Sequence, residues 1–140
     1  MHQKAKKYYQ LASFTIQELL VVLVIIGILI LLALPSLMPL ISKTRSLEAK
    51  QALKHIYTLQ KTYFYENSRY SSEIVALGYE QETLVTESES GKANYKMEII
   101  EASPSSFLAR ATAVVDFDGD GEYNVWEINQ NSELREIIKD

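Results

Sequence analysis

The chain has 140 residues, no cysteine, and 18 acidic against 14 basic side chains, for a net charge of −4. That excludes a disulfide framework and a thiolate metal site. A nucleic-acid surface would rest on a few scattered lysines, so no nucleic-acid partner is expected.

Residues 1–13 form a basic leader, with Lys4, Lys6 and Lys7 and no acid before Glu18. From Leu19 to Leu34 there is no polar side chain, and the run continues to Ile41 with Pro35, Ser36 and Pro39 as its interruptions. At ~1.5 Å per residue such a run crosses a bilayer core of ~30 Å. A secretory signal would carry a shorter apolar region of ~7–15 residues and a small-residue cleavage site after it. Here Pro-Ser-Leu-Met-Pro follows instead. A retained transmembrane segment is therefore expected over 14–43. The leader's lysines put its N-terminus inside, and residues 44–140 lie outside the cytoplasm. Glu18 is a lone carboxylate at the mouth of this run. A charge at the centre of a membrane helix costs on the order of 2.5–3.5 kcal/mol, so Glu18 either stays solvated at the interface or has a partner.

From Thr44 the pattern is an amphipathic helix, 44–67. Ala49, Ala52, Leu53, Ile56, Tyr57, Tyr63 and Phe64 recur at three- and four-residue steps, and Asn67-Ser68 reads as the stop. Joined to the apolar run, this predicts one helix of about fifty residues, bent or broken near Pro35 and Pro39. Residues 68–94 read as loop, with one turn of helix around Ser72–Leu77. The period then becomes two. Tyr95, Met97 and Ile99 alternate with Lys96, Glu98 and Ile100, and Phe107, Ala109, Ala111 and Ala113 alternate with their neighbours across an "ASPSS" connection. Trp126 and Ile128 alternate with Glu127 and Asn129, a turn covers 129–132, and 134–138 is a last strand. The fold class is α+β: a long N-terminal helix packed on an antiparallel sheet of about four strands within 95–140.

Asp116-Phe-Asp-Gly-Asp-Gly-Glu-Tyr-Asn-Val-Trp-Glu127 fits the calcium-loop pattern D-x-[DN]-x-[DN]-G-x5-E at every fixed position. Calcium takes six to eight hard oxygens at ~2.3–2.6 Å. The expected ligands are the carboxylates of Asp116, Asp118 and Asp120, the carbonyl of Glu122, Asn124 directly or through water, and Glu127 as a bidentate closer. Gly121 supplies the sharp bend. The competing reading is an acidic solvated turn. The strand-like "FLARATAVV" before the loop and the lack of a helix after it argue against an EF-hand and put Glu127 on a strand. With no cysteine and one His beyond the leader, neither a Ser/His/Asp nor a Cys/His arrangement is visible, so no enzymatic role is expected.

The leader, a small residue, and then "FTIQELLVVLVIIGILILLALP" resemble the start of the type IV pilins and type II secretion pseudopilins. The resemblance implies a prepilin peptidase cut between Ser13 and Phe14, with Ser13 standing where family members usually carry Gly or Ala. It implies methylation of the new Phe14 amine. Glu18 becomes the fifth mature residue, which meets that amine on a neighbouring subunit and so sets assembly register. Gly27 and Pro35 fall where family members often carry these residues, Pro35 within the assembly helix. The implied partners are other subunits in a homopolymer or mixed pilin filament, the peptidase, an inner-membrane assembly platform, and membrane lipid before assembly. The implied location is the inner membrane, then a periplasmic or cell-surface filament. Major pseudopilins also hold calcium in a C-terminal loop. The competing function is a monomeric, membrane-tethered calcium-binding module that never polymerises.

Overall fold

A computed structural model describes residues 13–140, the side chain of Met38 excepted; the basic leader before Ser13 lies outside the described residues. The elements are α1 (Ile16–Asn67), a 3-10 turn (Val75–Leu77), β1 (Tyr95–Ala102), β2 (Phe107–Ala113), β3 (Val125–Asn129) and β4 (Leu134–Ile138). The strands form one antiparallel sheet in the order β1-β2-β3-β4. This is the expected α+β class. The chain divides into two compact units between Ser36 and Leu37, so residues 37–43 group with the head.

The first unit is the apolar half of α1. Among the described residues nothing covers its side chains: Leu19, Val24, Leu29 and Leu32 are all more than half exposed. The segment is long and apolar enough to cross a membrane. The helix is not broken at Pro35 or Pro39, contrary to the break that two interior prolines suggest. Each proline removes one backbone donor, but helix flanks both sites on each side. Nearby hydroxyls also bond helix carbonyls: Ser36 donates to the Ala33 oxygen at 2.9 Å and Thr44 to the Leu40 oxygen at 2.9 Å.

In the second unit the predicted stripe is the core. Ala49, Leu53 and Ile56 are wholly buried, with Tyr57, Tyr63 and Phe64 packed at the margin. They pack with Tyr95 and Met97 of β1, Phe107, Ala109, Ala111 and Ala113 of β2, and Trp126 and Ile128 of β3. The alternation read from sequence is the burial pattern of β2, where every second residue is buried. Alanines dominate the inner face of β2, and the bulk comes from the strands on either side. α1 stops where expected. Ser68 adopts φ 56°, the left-handed conformation that commonly ends a helix, and its N–H still bonds the Phe64 carbonyl at 2.8 Å.

Two polar residues of α1 tie the loop region to the helix, and neither stands out in the apolar pattern. Gln60 is wholly buried. Its amide nitrogen donates to the Ser71 carbonyl at 2.7 Å, and its oxygen accepts the Ser71 N–H at 2.9 Å. Glu48 accepts the Asn94 N–H and the Asn94 side-chain N–H, both at 2.7 Å, and the Tyr95 N–H at 3.3 Å. The edge of β1 is covered in turn by Gln81, which donates to the Tyr95 carbonyl at 3.1 Å and accepts the Met97 N–H at 3.0 Å. Such cover blunts a strand edge that would otherwise present free backbone groups.

Gln60→Leu should therefore cost about 1–3 kcal/mol, because it leaves the N–H and C=O of Ser71 unpaired; urea denaturation would show the lowered midpoint. Burial, followed by the charges of Glu48, Asp140 and Glu136, raises the pKa of Tyr95 far above that of an ordinary phenol. A raised folded-state value gives stability that is complete below the ordinary phenol range of ~10 and is lost as pH rises through the folded value. Tyr95→Phe should lower stability at neutral pH, since it orphans the buried Asn124 oxygen, yet it should flatten the alkaline decline. A pH series of thermal melts on both proteins checks this.

Candidate functional site

At the mouth of the apolar run the local sequence is Thr15-Ile16-Gln17-Glu18. The Glu18 N–H donates to Thr15 Oγ1 at 3.3 Å. Glu18 Oε2 accepts the Thr15 N–H at 2.8 Å and the Thr15 hydroxyl at 3.1 Å. This is a reciprocal capping box, Thr at the N-cap and Glu at the third helical position. It satisfies donors that a helix start leaves orphaned, and it sets a negative charge at the positive end of the helix dipole. Glu18 thus has a partner inside its own chain. The T-x-x-E spacing of Thr15 and Glu18 is the sequence signal for this cap. Ser13 and Phe14 precede the helix and are exposed, Phe14 at 84%. Pro35 lies inside α1 at the last turn of the first unit.

In the second unit the acidic loop joins β2 to β3. Asp116 turns both carboxylate oxygens onto the loop's own backbone: Oδ1 accepts the Gly119 N–H at 2.6 Å and Oδ2 the Gly121 N–H at 2.8 Å. These bonds, Gly121 first and then Gly119, lower the Asp116 pKa. Asp118 accepts the Asp120 N–H at 3.0 Å, and Asp120 accepts the Glu122 N–H at 2.7 Å. For Asp118 the Asp120 N–H lowers the pKa. Local desolvation and the charges of Asp120, Asp140 and Asp116 outweigh it, and the net shift is upward. Gly121 holds φ 92°, a conformation that side-chain-bearing residues rarely adopt, and this matches the bend assigned to it. Phe117 faces the other way, its ring 5.9 Å from that of Tyr95, so the loop is rooted in the core.

One carboxylate oxygen from each of Asp116, Asp118 and Asp120 lies within 4.8 Å of the others. Two oxygens on one calcium at ~2.3–2.6 Å can be no more than about 5 Å apart, so these three fit the ion. The remaining expected ligands sit differently. Asn124 is wholly buried and fully used: its oxygen accepts the Tyr95 hydroxyl at 2.8 Å, and its nitrogen donates to Glu136 and to the Ile138 carbonyl, both at 2.9 Å. Glu127 is on β3, directly opposite Arg110 of β2, and accepts from Nε at 2.8 Å and Nη2 at 2.6 Å. Glu122 follows Gly121 in the loop and is exposed. The twelve-residue pattern therefore splits here into a cluster of three aspartates, a core asparagine and a cross-strand ion pair. Asp140, which the pattern does not reach, accepts the N–H groups of Phe117 and Asp118 at 2.9 Å each. Its main-chain oxygen accepts the Ser42 hydroxyl of α1.

A type IV major pilin protein PilA of Myxococcus xanthus (strain DK1622) is 41% identical to this chain over 70 residues. Over that segment the chain is similar to a type IV pilin. The matched segment is 50% of this chain and 32% of the Myxococcus pilin, so it spans about a third of that relative's length. No protein-family model matches the chain.

The capping box makes a local prediction. Thr15→Ala should loosen the first turn of α1, with a cost of about 1 kcal/mol typical of a lost N-cap. Hydrogen exchange should quicken at residues 16–19 and stay unchanged across the sheet.

Proposed function

We propose that the chain is a structural, non-enzymatic subunit of a type IV pilus-like filament, held in the membrane by the first half of α1 before assembly. The observation that carries this reading is a membrane-length apolar helix, uncovered among the described residues, in a chain similar to a type IV pilin over half its length. An uncovered apolar helix has two stable fates, lipid or the matching faces of other copies, and a filament subunit uses each in turn. That the similar Myxococcus protein is a major pilin favours a pilus over a type II secretion pseudopilus.

On this reading the leader is removed by prepilin peptidase at Ser13/Phe14, and the Phe14 amine is methylated. The membrane orientation has the N-terminus inside, and the chain then passes through an assembly platform to the periplasm or cell surface. Glu18 begins as the acceptor of its own Thr15 cap and, in the polymer, meets the Phe14 amine of a neighbour. In the low dielectric of a packed core that attraction is stronger than in water, and an unmatched position leaves a buried charge unpaired. Pairing therefore sets register. A monomeric tether would not need this arrangement. Glu18→Gln should keep the cap's geometry and the fold yet sharply reduce filaments in electron micrographs of sheared cell-surface material. Undiminished filaments from that variant would count against the pairing.

We also propose a calcium ion at the acidic loop, held by Asp116, Asp118 and Asp120, with the Glu122 carbonyl and water completing its shell. The support is the 4.8 Å cluster and the sharp turn at Gly121. Asn124 and Glu127 would have to leave the bonds described above to join. Binding to the folded state alone stabilises by RT ln(1 + [L]/Kd), or ~2.7 kcal/mol at a hundredfold excess. Calorimetric melts should rise with millimolar calcium. Asp118→Ala and Asp120→Ala should abolish the rise and Glu127→Gln should keep it. A flat response in the unmodified protein would reduce the loop to an acidic turn.

A further inference from the structure

The acidic loop and the apolar run do not account for a cavity of about 570 Å³ between α1, β3, β4 and the residues just after β4. Its first lining residues are Pro39, Ser42 and Lys43, so it begins at the end of the apolar run, within the second unit. Lys50 and Lys139 line it as well, with Trp126 as its aromatic wall. None of these three lysines makes a salt bridge among the described residues. Lys50 instead rests its ammonium 4.3 Å from the centre of the Trp126 ring. The indole N–H of Trp126 is the buried side-chain donor without a partner among the described residues.

Two acids also border the cavity, and both already bond other groups. Glu136 accepts the Asn124 amide at 2.9 Å, and the Asp140 carboxylate accepts loop N–H groups. Three lysines against these two carboxylates leave the cavity lining with one positive charge in excess. Around them the surface is apolar: Leu37, Leu40, Ile41 and Leu47, all of the same unit, are each close to half exposed or more. Lysine ammonium groups beside exposed leucines form the chemical profile of a lipid–water boundary. A phosphate there gains the charges, and the acyl chains gain the leucines.

We propose that this cavity is a binding site for the phosphate of an anionic phospholipid, engaged while the chain is still in the membrane. The proposal rests on the reading of the apolar run as membrane-spanning. Lys43 and Lys139 hold the phosphate from either side, while the buried Ser42 and Ser46 keep their hydroxyls on the main-chain oxygens of Asp140 and Lys43. Lys50 leans from the Trp126 ring toward the anion, so occupancy changes the surroundings of the indole. Extraction into a filament would require this headgroup to be released, which makes the site a brake whose strength depends on membrane composition.

Trp126 is the single tryptophan of the chain and so reports on the cavity directly. The full-length chain is first floated with phosphatidylcholine vesicles and with vesicles containing phosphatidylglycerol. It is then titrated in non-ionic detergent, following Trp126 emission, with dihexanoyl phosphatidylglycerol, dihexanoyl phosphatidylcholine or inorganic phosphate. The expected result is a saturable change with phosphatidylglycerol at an affinity about tenfold or more above phosphatidylcholine, as a few lysines at a lipid surface provide. Inorganic phosphate should bind weakly, because it lacks the acyl chains. The double variant K43Q/K139Q keeps Lys50 on the ring and should erase the tenfold preference. Equal response to the two lipids, an inorganic phosphate response matching phosphatidylglycerol, or an unchanged preference in the double variant would each overturn the proposal. Flotation with both vesicles but no preference would sink the lipid site and leave the membrane-spanning reading intact; failure to float with either would remove both.

Discussion

The seam between α1 and the sheet is the contact on which the head depends. It is a line of small and medium side chains, Ala49, Leu53 and Ile56, set against strands whose inner faces alternate by twos. A helix repeats at 3.6 residues and a strand at two, so a flat seam needs residues from each at its own period. Both ends of this line are closed by polar groups. Glu48 gathers the backbone where β1 begins, and Gln60 holds the loop that leaves α1 through both of its amide atoms. Buried hydrogen bonds of this kind add little net stability when made but are costly to lose. They fix where the chain crosses rather than how strongly it folds. In a head without a cysteine, the 68–94 segment has no covalent tie, and these side chains do that work.

The same helix carries a second, opposite property. Before Leu37 its side chains are as apolar as a core and have no core to join among the described residues. A soluble domain with such a surface would aggregate. The proposed function resolves this by giving the segment a membrane first and other subunits later. The head needs no change of fold between the two states, since its own core is complete from Leu37 onward.

Much of this was legible in the residues. Periodicity gave the helix stop at Asn67, the four strands and the inward alanines of β2, because burial on one side of a regular element writes directly into sequence. Side chains that bond to backbone were less legible. Gln60 sits on the apolar stripe and would be read as an interruption, although its position i+4 from Ile56 is what buries it. Asn124 and Glu127 satisfy a linear metal pattern, yet the strand beginning at Val125 turns one into the core and pairs the other with Arg110. A spacing rule counts residues along a chain; it does not know which face of a strand each will take. Asp140 lies too far from the loop in sequence for any local pattern to include it, and the antiparallel return of β4 brings it there. The cap at Thr15 needed no structure at all.

The central claim is that the uncovered half of α1 is an assembly element. High-resolution electron cryomicroscopy of filaments sheared from cells making this protein tests it most directly. The account predicts filaments in which this chain is identified by its density, with residues 19–34 buried between subunits and each Glu18 carboxylate within hydrogen-bonding distance of a neighbour's Phe14 amine. Recovery of the protein only as a membrane-bound monomer, or filaments that contain it with those residues left outside the core, would contradict the account.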